Sequence, residues 1–102
     1  MNKLLSDKTL VLQPVTELTA DRVRDLVEKA KQFIDDKDDF FEVVLDIRNV
    51  KIIDSTGISF VVGLYKSVKK LEKGFRIEGV CTDIQKLFNV MKLDEVFKIN
   101  TL

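Results

Sequence analysis

The hydrophobic period of this chain switches repeatedly between two residues and about three and a half, and that alternation constrains its fold more than any other feature. Leu4-Leu5, a polar Ser6-Asp7-Lys8 turn and Thr9-Leu10-Val11-Leu12-Gln13 read as two strands joined in a hairpin. Pro14, which cannot donate to a ladder, ends the second. From Thr19 the period becomes helical. Val23, Leu26, Val27, Ala30 and Ile34 share one face of a helix running to about Asp36, with Thr19 as its N-cap and Asp21 favourable in its first turn. The acidic cluster Asp35-Asp36-Lys37-Asp38-Asp39 reads as a solvated loop that ends it.

Phe41-Glu42-Val43-Val44-Leu45-Asp46-Ile47 has the β-branched, mostly apolar composition of a strand in the middle of a sheet. After the connection from Arg48 to Ile53 and the segment Asp54-Ser55-Thr56-Gly57, a second helical face follows, carrying Gly57, Val61, Leu64, Val68 and Leu71, with Gly74 as its stop. Phe75 to Cys81 alternates as a strand. Thr82 and Gln85 stand at capping-box spacing before a third helix with Ile84, Leu87, Phe88 and Met91 on one face. Val96-Phe97-Lys98-Ile99 suffices for a last strand. The order β-β-α-β-α-β-α-β predicts an α/β fold, a mostly parallel sheet with right-handed crossovers and an antiparallel edge hairpin.

Several classes of function fall away. At 102 residues the chain reads as one domain over 1–102, enough to bury roughly two thirds of its unfolded surface. Lys plus Arg equals Asp plus Glu at 17 each, and the signs are interleaved, so there is no basic stripe for direct nucleic-acid binding. No run approaches the ~18 apolar residues of a membrane span, and the first residues do not form a signal peptide. With one cysteine, Cys81, and no histidine, neither a disulfide, nor a zinc or iron site of the usual kind, nor a histidine-based triad can be assembled. The expectation is a cytoplasmic monomer without metal or cofactor.

In open α/β sheets, sites form where a loop enters a helix, because free N–H groups converge there. Asp54 to Gly57 is such a loop, with two hydroxyls, a carboxylate and a glycine in four residues. A phosphate on Ser55 or Thr56 can be held by those donors, while its charge of about −1.5 to −2 repels an acidic or apolar partner surface. Only Asp54 can serve as a base there, so the loop suits a switch better than a catalytic centre. The same residue types are also ordinary N-cap and turn chemistry, and that reading stays open. The helix that follows is apolar over an arc of about 200°, wider than a surface helix needs. Its flanks, with the small Ser59 and Gly63 beside them, serve either as a docking patch or as the seat of a neighbouring helix.

The segment Ile52-Ile53-Asp54-Ser55-Thr56-Gly57-Ile58-Ser59-Phe60-Val61-Val62-Gly63-Leu64-Tyr65-Lys66 resembles the signature of the anti-sigma-factor antagonists, the bacterial branch of the STAS domain family. The element order resembles theirs over almost the whole chain. The resemblance implies a non-enzymatic switch whose phosphoacceptor is Thr56, phosphorylated by a partner serine/threonine kinase that is also the anti-sigma factor and has the histidine-kinase-like ATPase fold. Unphosphorylated antagonist binds that kinase and frees the sigma factor; a phosphatase resets the cycle. It further implies that Asp54 helps recognition or orients the hydroxyl, that Gly57 lets the kinase approach, and that Ser55, Ile58, Ser59, Val62 and Gly63 complete the partner surface. Two departures stand out: Thr16-Glu17-Leu18-Thr19 replaces a Gly-x-Leu-Asp common in the family, and the chain stops at Leu102, where members commonly add a helix. The alternative is a STAS domain that binds a small ligand or like domains, with Thr56 merely capping its helix.

Overall fold

A computed structural model describes residues 1–35 and 39–102. The elements are β1 (Asn2–Ser6), β2 (Thr9–Gln13), α1 (Ala20–Asp35), β3 (Glu42–Asp46), α2 (Ser55–Lys70), β4 (Gly74–Val80), α3 (Thr82–Val90), a 3₁₀ turn (Leu93–Glu95) and β5 (Lys98–Thr101). They form one five-stranded sheet in the order β1-β2-β3-β4-β5, with β1 antiparallel to β2 and the other pairings parallel. The mixed sheet and the element order are those expected from the alternating periods. Asp7 and Lys8, at φ 49° and 64°, make the two-residue left-handed turn that matches the twist of a tight hairpin.

Because the strand order never reverses, three right-handed crossovers place all three helices on one face of the sheet. Period-two alternation then divides the strands. Leu10, Leu12, Val43, Leu45 and Ile77 enter the core with Val23, Leu26, Ala30 and Ile34 of α1, Phe60, Val61, Leu64 and Val68 of α2, and Ile84 and Phe88 of α3. The residues between them, among them Gln13, Glu42, Asp46, Arg76, Glu78 and Asn100, face away from the helices and bind one another. Arg76 bridges Glu42 and Glu78, Asn100 donates to Glu78 at 2.9 Å, and Gln13 donates to Asp46 at 3.2 Å. Burial pushes the Glu78 carboxyl up, but the hydrogen bonds from Arg76 and Asn100 hold it below its ordinary value.

Several boundaries differ from the sequence expectation. The stop of α2 is Glu72, at φ 60°, rather than Gly74: its N–H bonds Lys69 O and the Lys73 N–H bonds Val68 O, the paired bonds of a Schellman closure made without glycine. Gly74 already belongs to β4, donating to Phe41 O. The capping box at Thr82 does not form, because Thr82 is inside the first turn of α3 and Cys81 holds the cap position with no side-chain cap bond. The last strand starts at Lys98 because the Val96 and Phe97 N–H groups both bond Leu93 O and close the 3₁₀ turn. β1 also begins earlier than Leu4, at Asn2, where the Asn2 amide donates to Gln13. Residues 36–38, in the expected acidic loop, lie outside the described residues.

Candidate functional site

The site begins with an alignment the sequence periods do not show. Leu18, in the loop after β2, and Ile53, in the loop after β3, form a single parallel bridge: Leu18 N–H donates to Ile52 O at 3.0 Å and Asp54 N–H to Leu18 O at 3.1 Å. Leu18 is fully buried and Ile53 packs on the core, so burial of these two side chains pins the bridge. It ties together the segments that lead into α1 and α2, and both helices start beside it.

Asp54 caps both of them. One carboxylate oxygen accepts from Gly57 N–H at 2.9 Å, in the first turn of α2, and the other from Ala20 N–H at 2.9 Å, at the start of α1. These donors, Gly57 first and then Ala20, hold the Asp54 carboxyl below its ordinary value against the opposing effect of burial, with the Thr56 N–H adding to them. Two helix N-termini thus share one negative charge. Gly57 is buried because the Leu18 carbonyl lies where a side chain would be: a Cβ there would sit 2.0 Å from Leu18 O and 2.7 Å from an Ile53 side-chain carbon. The closeness of the two segments therefore requires glycine.

Thr19 stands at the cap position of α1, its carbonyl accepting from Arg22 and Val23 N–H, but its hydroxyl does not cap. It donates instead to the Asp21 carboxylate at 2.6 Å. That bond is the main reason the Asp21 carboxyl lies below its ordinary value, and the charge of Asp54 opposes the effect, so the two acids sense one another. An acid therefore stands close to Asp54 although residue 19 is not one.

The candidate residues divide by exposure. Ser55, Thr56, Ser59 and Gly63 are exposed; Asp54 and Val62 are half-buried; Gly57 and Ile58 are buried. Ser59 and Gly63 face the side of α2 that looks toward α1, while Ile58 lies in the core and Val62 packs against it. Thr56, on the first turn of α2, is an exposed residue whose hydroxyl makes no hydrogen bond among the described residues. With Asp54 and Asp21 both acidified, neither is a base suited to neutral pH, so the loop offers an acceptor hydroxyl rather than a proton-transfer pair. Among the described residues no group of three or more His, Cys, Asp or Glu side chains could hold a metal ion, and no helix is long and apolar enough to cross a membrane. Sequence reasoning missed Leu18, Ala20 and Asp21. The apolar Leu18 and Ile53, each just before a polar helix-start segment, are the only trace of their pairing in the sequence.

Comparison with known proteins fits this architecture. Residues 1–100 match the family model described as Mlab, STAS domain. An anti-sigma-B factor antagonist of Staphylococcus epidermidis is 32% identical over 59 residues, 58% of this chain and 55% of the relative. Its counterpart in Staphylococcus aureus (strain NCTC 8325 / PS 47) is 30% identical with the same coverage. The chain thus spans about half the length of the curated relatives it matches. Among solved structures, a candidate anti-sigma factor antagonist of Thermotoga maritima superposes with a TM-score of 0.89 at 19% identity, covering 99% of this chain and 86% of that one. SpoIIAA, an anti-sigma factor antagonist in its unphosphorylated form, gives 0.64 at 14% identity, covering 91% and 93%. The two structures are alike in fold.

Proposed function

Because this chain belongs to the STAS domain family, we propose that it is an anti-sigma-factor antagonist, switched off by phosphorylation of Thr56. The observation that carries the reading is the exposed Thr56 hydroxyl on a helix start whose backbone is held by Asp54 and the Leu18–Ile53 bridge. Asp54, not Thr56, supplies the cap of α2, so the threonine side chain is not needed to start the helix. The curated relatives named anti-sigma-B factor antagonists support the same reading.

In this account residues 1–102 act as one STAS domain, a cytoplasmic monomer with no catalytic residue of its own. The partner is an anti-sigma factor serine/threonine kinase of the histidine-kinase-like ATPase fold, docking around Ser55, Ser59 and Gly63 while the buried Gly57 and Ile58 support that surface from beneath. In the kinase complex the Thr56 oxygen bonds the γ-phosphorus of ATP, ADP leaves, and the hydroxyl proton passes to a base of the kinase. The phosphoryl group brings a charge of about −1.5 to −2 beside the ionised Asp54 and Asp21, which weakens docking by repulsion and by the cost of desolvating it. A phosphatase restores the hydroxyl. Sigma-factor-dependent transcription rises while the kinase is held.

The test is capture from the source cell with wild-type and Thr56→Asp chains as bait. A kinase-fold ATPase retained by the wild type and lost by the variant is the expected result. A partner held equally by both would replace the switch with the ligand-binding or scaffold reading.

A further inference from the structure

β1 is an outer strand of the sheet, hydrogen-bonded to β2 alone. Sheet edges are commonly blunted by a bulge, a proline or an outward charge. β1 pairs with β2 over all five residues without a register shift and contains no proline. Its one charged residue, Lys3, is laid back over the Phe33 ring of α1 at 5.3 Å. The opposite edge, β5, is four residues long, carries Lys98 and Asn100, and pairs with β4 through a register shift.

The backbone groups that β1 leaves over follow from the ladder. Lys8 O, just before β2, accepts from Phe41 N–H at 2.8 Å, so Lys8, Leu10 and Leu12 turn their backbone groups toward β3, and Thr9, Val11 and Gln13 turn theirs toward β1. Their partners across the two-residue hairpin, Ser6, Leu4 and Asn2, bond β2. Lys3 and Leu5 therefore aim N–H and C=O outward. The Leu4 side chain lies beside Val11 and Val44 on the helix-free face and that of Leu5 on the helix face, 61% and 39% exposed.

These groups match themselves about a two-fold axis through Leu4. Antiparallel pairing of two β1 strands sets Lys3 opposite Leu5 of the second copy and Leu5 opposite its Lys3, each pair exchanging two backbone hydrogen bonds, while Leu4 meets Leu4 at the closely spaced position between them. This register pairs all five residues of each strand. Centring on Lys3 would set two ammonium groups opposite one another, and centring on Leu5 would set Leu4 against Ser6. The row Val44, Val11, Leu4 continues through the axis into the same row reversed, an unbroken apolar stripe. We infer that this edge is an interface for a second copy of the chain, the two sheets joining through β1 into one. Two five-residue strands make a small interface of the weak, transient class. The monomer of the switch is therefore the dilute form, and the pair forms as the chain is concentrated. The pairing uses no residue from Asp54 to Gly57, and the inference does not rest on the role of Thr56.

Sedimentation velocity of the full chain, from dilute to concentrated solution, tests it. A reversible shift from monomer to dimer, with no larger species, is expected. Leu4→Lys, which sets two ammonium groups against each other at the axis, raises the dimer dissociation constant at least tenfold. Leu5→Pro does the same by removing an N–H that β2 does not use, and both leave the melting temperature of the dilute chain close to that of the wild type. Cysteine reads the register: in a Cys81→Ser background, mild oxidation cross-links Leu4→Cys, which faces itself, and not Leu5→Cys, which faces Lys3. A monomer at every concentration, a dimer insensitive to both Leu4→Lys and Leu5→Pro, or cross-linking of Leu5→Cys in preference to Leu4→Cys would overturn the inference.

Discussion

Two carboxylates on either side of the connection after β3 are each matched with a glycine, and the contrast between them explains where this molecule can be read by a partner. Asp46, at the end of β3, is 6% exposed and accepts from Arg48 N–H at 3.1 Å, from the Arg48 guanidinium at 2.9 Å and from the Gln13 amide at 3.2 Å. Gly79, at φ 71°, passes so close that a Cβ would sit 2.8 Å from the Asp46 carboxylate. Asp54 is held by backbone N–H groups, and Gly57 passes against a backbone carbonyl. At the first site the acid is held by the Arg48 and Gln13 side chains together with one main-chain N–H. At the second the backbone satisfies the acid, which fixes two helix starts, and among the described residues the neighbouring Ser55 and Thr56 hydroxyls make no hydrogen bond. The difference lies in the donors: among the described residues main-chain N–H groups alone hold Asp54, whereas side chains are committed to Asp46.

The largest effect expected from this contrast is at Gly57. Gly57→Ala must displace the Leu18 carbonyl and with it the bridge between the two loops, costing about 3 kcal/mol or more. Thermal unfolding should shift by about 12 °C or more for a domain of this size; a shift within about 2 °C would show that the loops can part freely. Gly79→Ala is next. A left-handed backbone costs a Cβ roughly 1–2 kcal/mol, and the contacts it would make there, 2.8 Å to the Asp46 carboxylate, 2.9 Å to the Arg48 Cβ and 3.0 Å to the Arg48 N, are longer than the 2.0 Å to Leu18 O at Gly57, so its melting shift should be real but smaller than that of Gly57→Ala.

Asp54→Asn sharpens the comparison through pH. The folded-state Asp54 value lies below the ordinary 3.8, so its stabilising contribution is complete above that value and is lost as pH falls through the lower, folded-state value. Urea midpoints of wild type and Asp54→Asn should therefore differ most near neutrality and converge in acid. Parallel curves would mean that the carboxylate charge is not what holds the two helix starts. The smallest effect on stability is Thr56→Ala, within about 0.5 kcal/mol because the side chain is exposed and makes no cap. A larger loss would give Thr56 a structural role and weaken its assignment as a free acceptor.

The periods of the sequence carried the element order, the mixed sheet and the position of the Asp54–Gly57 loop, because burial repeats every two residues in a strand and every three to four in a helix. Closures were less legible. Glu72 ends α2 in a left-handed conformation that a glycine-based rule assigns to Gly74, and Cys81 starts α3 without the side-chain bond that the Thr82 and Gln85 spacing suggests. The Leu18–Ile53 bridge was invisible for a different reason: it joins residues 35 positions apart by a single backbone pairing, too short to leave a period. Thr19 reads as a side-chain cap, but its hydroxyl holds Asp21, which places an acid near Asp54 that the spacing does not show. The free Thr56 hydroxyl could be guessed from the motif, but that it is dispensable to the helix follows only from where the Asp54 oxygens point.

The most direct test of the central claim is phosphopeptide mapping of the chain isolated from its own cell before and after stress, with Thr56→Ala and Ser55→Ala chains alongside. Phosphate is expected on Thr56, changing in extent with stress, disappearing in Thr56→Ala and persisting in Ser55→Ala. Phosphate on Ser55, or none at either residue while a kinase-fold partner is still bound, would contradict it.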